Sequence, residues 1–148
     1  MRPVRRGTKR LLLAISKHLE AQVGAHGESA VLLATFQEAR HFTPATQGRY
    51  RRLGQSAAFV GALGVGLPDE PVPGVRGAAL DAAERLRGEW NVVVVAPHFA
   101  AAFVAHDLGD SGGPDMDRRF DFCLTYERDL VVRAAEAMMA RVASVPGV

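Results

Sequence analysis

The residues best placed to do chemistry are crowded into Phe36-Gln37-Glu38-Ala39-Arg40-His41-Phe42-Thr43-Pro44. Here aromatic, amide, carboxylate, guanidinium and imidazole groups share a few positions between an apolar run and a helix start. Gln37, Glu38 and Arg40 fall at the carboxyl end of a predicted strand, where open α/β sheets bind ligands, and Phe36, Phe42 and Tyr50 can supply a wall. The same residues also make a purely structural set, with the aromatics in the core, Arg40 paired with Glu38 and Gln37 capping a backbone group. Residue chemistry leaves both open. His98, with Phe99 beside it, follows another predicted strand; such a histidine either lines a ligand crevice or is a hydrogen-bonded structural group.

Louder motifs carry less. Gly109-Asp110-Ser111-Gly112-Gly113-Pro114 spells the nucleophile segment of chymotrypsin-like proteases. That mechanism needs a distant histidine, a buried carboxylate and two β-barrels to hold them in register, and this chain is too short and too helical to build them. A glycine-rich turn is the better account. Gly61, Gly64 and Gly66 have the wrong spacing for a dinucleotide loop, and Pro68, Pro71 and Pro73 stand where its helix would begin. Asp107, Asp110, Asp115 and Asp117 are oxygen ligands without the spacing of a calcium loop, which favours solvated acids in a mobile loop over a metal. Five histidines and one cysteine make no zinc pattern, and no activated nucleophile or paired carboxylates stand out, so no catalytic or metal residue is assigned and an enzyme is not expected.

The elements that must hold these groups follow from periodicity. Thr8 caps a helix whose Leu11, Leu12, Ile15, Leu19 and Val23 recur at helical spacing, with Gly24 as its stop. Ala30 to Phe36 is a strand of the doubly covered kind. Thr43-Pro44 opens a helix to about Gln55, and Ala57 to Val65 is a second buried strand. After a proline-enforced loop come a short strand, Val75 to Leu80, and a turn or short helix, Asp81 to Arg87. Trp90 to Ala96, with four consecutive valines, is the strongest strand signal. Phe99 to His106 is read as a strand although its alanines also suit a helix; Phe120 to Thr125 alternates as a half-exposed strand, and Glu127 to Val142 is a helix. Strands alternating with helices predict an α/β single layered domain with a central mixed sheet flanked by helices.

With 148 residues, 48% of them hydrophobic, the chain makes one domain with a proper core. The expected division is a basic arm at 1–8, the domain at 9–143 and a flexible end at 144–148. No apolar run approaches the roughly 20 residues of a membrane span, and there is no secretory signal, which points to a soluble cytoplasmic protein away from membranes. Of 18 basic residues five lie in the first ten; the remaining 13 face 16 acids, so the body carries −3. Five charges neutralise too few phosphates to make nucleic acid the favoured partner.

Taken together, the Leu11 to Leu19 helix, Phe36 to Pro44, Arg49-Tyr50 and Leu53, Glu89-Trp90, Pro97-His98-Phe99, Arg119-Phe120-Asp121-Phe122 and Arg128-Asp129-Leu130-Val131 resemble, in order, the DICT sensory domain of diguanylate cyclases and two-component systems. The resemblance implies a non-catalytic bacterial sensor of a small molecule or other cue. Its ligand and any cofactor are unnamed. The expected site is Phe36, Gln37, Glu38, Arg40 and Tyr50, with His98 and Phe99 from a neighbouring strand end. With no output segment in these residues, the signal is expected to pass to a signalling or regulatory partner, or through a homodimer. The alternative is a ligand-free interaction module using the basic arm and Arg49, Arg51 and Arg52.

Overall fold

Four valines in a row, Val92 to Val95, require apolar cover on both sides of one strand, and that strand is the middle of the sheet. The fold comes from a computed structural model that describes residues 4–81, 84–110 and 112–142, apart from the side chains of Glu38 and Arg85. Strands β1 (Arg5–Thr8), β2 (Val31–Glu38), β3 (Phe59–Val65), β4 (Arg76–Ala79), β5 (Glu89–Ala96), β6 (Phe99–Asp107) and β7 (Arg119–Thr125) form one mixed sheet in the order β1-β7-β6-β5-β2-β3-β4. Helices α1 (Lys9–His26), α2 (Pro44–Ser56) and α3 (Arg128–Val142) cover it. The chain is an α/β domain of the expected class.

Side-chain alternation sorts the core into two layers. Leu32, Ala34, Val92 and Val94 face α1 and α2, packing with Leu12, Leu19, Val23 and Tyr50. Leu33, Val93, Ala100 and Ala102 face α3 and pack with Val131, Met138 and Val142. β2, α2 and β3 form a parallel crossover unit, whereas β5 runs antiparallel to β2 with Val31 opposite Val95 and Ala34 opposite Val92. That one antiparallel pairing decides which loops meet.

Local expectations and structure differ at three places. Helix α1 runs through Gly24 and ends at Gly27, whose φ of 58° is the left-handed conformation that favours glycine. The segment at 1–8 is not an arm throughout, because Arg5–Thr8 pair with β7 as an edge strand. Nor do the acids after β6 project freely into solvent. Asp107 binds Arg118, Asp110 takes Arg119 at 3.1 Å, and Asp115 binds Lys9 and Arg118. The basic N-terminal residues and the acidic loop are thus one set of ion pairs, completed by Arg6 with Asp121 at 3.0 Å and Arg10 with Asp117 at 3.7 Å. In the protease-like hexapeptide, Gly112 and Gly113 have φ of 83° and 80°, the conformation of a glycine turn. Ser111 itself, residues 144–148, and Ala82 and Ala83 in the predicted turn lie outside the described residues.

Candidate functional site

The carboxyl end of β2 breaks the period of the strand. Thr35 faces the α3 side, where its hydroxyl donates to the Glu89 carbonyl at 2.9 Å and accepts from the Asn91 amide at 2.8 Å. Phe36 turns to the opposite side, and simple alternation would return Gln37 to the α3 face. Instead the register with β3 shifts between Thr35 and Glu38, and Gln37 adopts φ of 62°. This bulge brings Phe36 and Gln37, neighbours in sequence, onto the wall of one cavity. The left-handed conformation costs a non-glycine residue on the order of 1 kcal/mol, strain of the kind that gathers at functional sites.

Behind the wall sits a mutual aromatic triad. Ring centres of Phe36 and Phe42 are 5.0 Å apart, Phe36 and Tyr50 5.4 Å, and Phe42 and Tyr50 5.7 Å. Thr43 and Pro44, the cap and first residue of α2, fix where Tyr50 emerges two turns later. Tyr50 is fully buried, and its hydroxyl donates to Glu20 Oε2 at 2.7 Å, while Arg49 Nε donates to Glu20 Oε1 at 3.1 Å. One carboxylate therefore joins α1 to α2. Burial pushes the Glu20 carboxyl above its ordinary value, with the Tyr50 hydroxyl and Arg49 pulling the other way. Burial, with Glu20 beside it, also raises the Tyr50 phenol well above its usual range.

The cavity, about 270 Å³, lies between α1, α2, the β2 bulge and the β6–β7 connection. Lys9, Leu13, Ser16, Lys17 and Glu20 recur at helical spacing down one side of α1, facing Phe36, Trp90 and Phe120 on the sheet. The Arg118 guanidinium lies 5.3 Å from the centre of the Phe120 ring. The chamber thus pairs an aromatic floor with a polar rim, the make-up of a small-molecule site. A second hollow, about 440 Å³ beside Val132 and Met139 of α3, has only Glu136 among charged groups and little to orient a ligand. Among the described residues no group of three or more His, Cys, Asp or Glu side chains could hold a metal, and no helix is long and apolar enough to cross a membrane.

The predicted site residues divide. Phe36 and Gln37 line the cavity, and Tyr50 supports it from behind through Glu20. The Gln37 amide donates to Asp107 Oδ2 at 3.3 Å rather than capping a backbone group. Arg40 is exposed and borders an adjoining hollow. The expected Arg40–Glu38 pair involves the Glu38 side chain, which lies outside the described residues. His98 and Phe99 do not join this group. Because β5 is antiparallel to β2, its first residues, Glu89 and Trp90, lie beside the bulge, and the turn bearing His98 is at the other end of the sheet, roughly 23 Å along the strand. Phe99 stacks there on His26 at 5.7 Å and meets Tyr126 at 6.2 Å.

Sequence reading missed Glu20 and Ser16. The signal was present: the buried positions of α1 are Leu12, Ser16, Leu19, Glu20 and Val23, an unbroken helical stripe with two polar members. A stripe drawn through apolar residues alone includes Leu11, which is 47% exposed, and skips both.

The model of the family described as the sensory domain in diguanylate cyclases and two-component systems, DICT, matches residues 3–108. That range takes in β1 to β6 and most of the cavity wall, and ends before Met116, Arg118 and Phe120 and before the Arg119 to Val131 motifs. No curated protein and no solved structure matches the chain. With well over half of its residues matched, the chain belongs to the DICT family of sensory domains.

Proposed function

We propose that this domain is a non-catalytic sensor that binds a small ligand in the cavity between α1, α2 and the β2 bulge and reports its presence to a separate signalling partner. What carries the proposal is the make-up of the cavity wall. Two helices, a strained bulge and the β6–β7 connection all contribute to it, so an occupant contacts four elements at once. A ligand that favours one arrangement of those elements shifts the population towards it, changing the surface available to a partner.

Thermal unfolding against a panel of small metabolites tests this. A ligand at a hundredfold its Kd adds about 2.7 kcal/mol, a rise in Tm of about 5–10 °C for a domain of this size. Ala45→Phe, at the exposed mouth of the cavity, should abolish the rise and leave the unliganded Tm nearly unchanged. A rise that survives this substitution puts the ligand elsewhere and sinks the proposal.

The second reading, a ligand-free interaction module, draws on Val4 and Leu11, 67% and 47% exposed beside the edge strand β1. Arg5 and Arg6 on that strand oppose edge-to-edge pairing. Light scattering decides the homodimer version, which predicts a ligand-independent dimer that Val4→Asp dissociates.

A further inference from the structure

We propose that the ligand is an organic anion held in two adjoining hollows, its apolar or aromatic body in the cavity and its carboxylate or phosphate group among Arg40, Arg87 and Arg118; this rests on the cavity being the sensing site. The hollow beside Arg40, about 240 Å³, shares Gln37, His41 and Arg118 with the cavity, so the two lie on either side of one wall. Neither volume alone reaches the roughly 300–1,000 Å³ of ordinary small-molecule sites, and together they do.

The lobes differ in lining: Leu13, Phe36, Trp90 and Phe120 belong to the larger alone, and the smaller has no large apolar side chain among its described residues. The smaller is lined by three guanidiniums and, among its described residues, one carboxylate, Asp107. Asp107 is itself occupied, accepting from Arg118, from the Gly109 amide at 2.8 Å and from Gln37 at 3.3 Å. Guanidinium forks match the geometry of carboxylate and phosphate oxygens. The larger lobe also carries cations, Arg49 held by Glu20 at 3.1 Å, Lys9 held by Asp115 and Lys17 at the mouth, and shares Arg118, itself paired with Asp107 and Asp115; its Leu13, Phe36, Trp90 and Phe120 receive the uncharged body. Gln37 stands on the dividing wall because the bulge re-aims it, and its amide can meet the link between body and head group.

Trp90, the single tryptophan, lines the larger lobe, so energy transfer from it detects a bound dye, and loss of the signal in Ala45→Phe assigns the dye to that lobe. The probes are 8-anilino-1-naphthalenesulfonate, an aromatic anion, and N-phenyl-1-naphthylamine, the same body without the charge. Both should quench Trp90, with the anion binding about tenfold tighter or better and losing that advantage as salt is raised. Arg40→Ala with Arg87→Ala, both at exposed positions, should bring the anion down to the affinity of the neutral dye and leave the latter within about twofold. Equal affinities for the two dyes, or an anion advantage untouched by the double variant, overturn the two-lobe inference while the cavity stands. If neither dye quenches Trp90, or the quenching by both survives Ala45→Phe, the sensing cavity falls as well.

Discussion

On the face covered by α3, Leu33, Leu63, Val93, Ala100 and Ala102 meet Val131, Met138 and Val142, without one aromatic ring among the buried residues. The opposite face buries Phe42, Tyr50, Phe103, Phe120 and Phe122 beneath α1 and α2, and encloses the Glu20 carboxylate. Small and branched side chains interdigitate across the first interface, and the hollow beside α3 offers a ligand only Glu136 among charged groups. Wide rings braced by polar contacts hold the second apart, and the candidate sensing cavity lies there. The proposed function makes one face the scaffold and the other the surface that reads, so it predicts that stability and binding separate by face.

The largest expected effect tests the scaffold face. Leu33 is fully buried against α3 and has no part in the cavity wall. Leu33→Ala should cost about 2–5 kcal/mol in urea unfolding, while dye affinity, measured on the folded protein, stays unchanged. A loss of affinity as large as that caused by Ala45→Phe would show that the two faces are not independent.

Next in size is the tie between the helices on the reading face. Tyr50→Phe removes one of the two side-chain donors to Glu20, with an expected cost of about 1–3 kcal/mol at neutral pH. The pH dependence gives the finer test. The folded pKa of Glu20 is raised, so its contribution to stability is complete below the ordinary value of 4.5 and is lost as pH rises through the raised value. Removing the Tyr50 hydroxyl, which pulls that pKa down, raises it further. The deficit of the variant should therefore be smallest near pH 4.5 and grow towards pH 7. Asp115, held at about 2 by Lys9 and Arg118, acts in the opposite sense, with a contribution complete above its ordinary 3.8. It leaves this window clear. A deficit that does not change with pH would remove Glu20 from the account.

Apart from β1, whose Arg5 and Arg6 read as part of a basic arm, the strands and helices of the fold were legible in the chain because each announces itself locally, through the valine run of β5, the Thr43-Pro44 start of α2 and the alternation of Phe120 and Phe122. Half of the site was legible for the same reason, as the bulge residues sit between two such signals. The other half depends on facts no local window contains. Strand direction is set by pairing, and only the antiparallel placement of β5 brings Trp90 to the bulge. Glu20 looks like a solvent residue until Tyr50, thirty positions away, is packed against it.

The smallest expected effect concerns the residue that strand direction removed from the site. His98 is exposed in the turn between β5 and β6, at the far end of the sheet from Gln37. A surface substitution with no cap, buried partner or strained backbone behind it stays within about 0.5 kcal/mol, so His98→Ala should leave the urea midpoint and both dye affinities where they were. Any parallel arrangement of β5 would put this imidazole beside Gln37 and make it a ligand contact. A clear loss of binding in His98→Ala would thus challenge the register of the sheet as well as the site, whereas unchanged binding beside a weakened Arg40→Ala, Arg87→Ala variant places recognition at the bulge end.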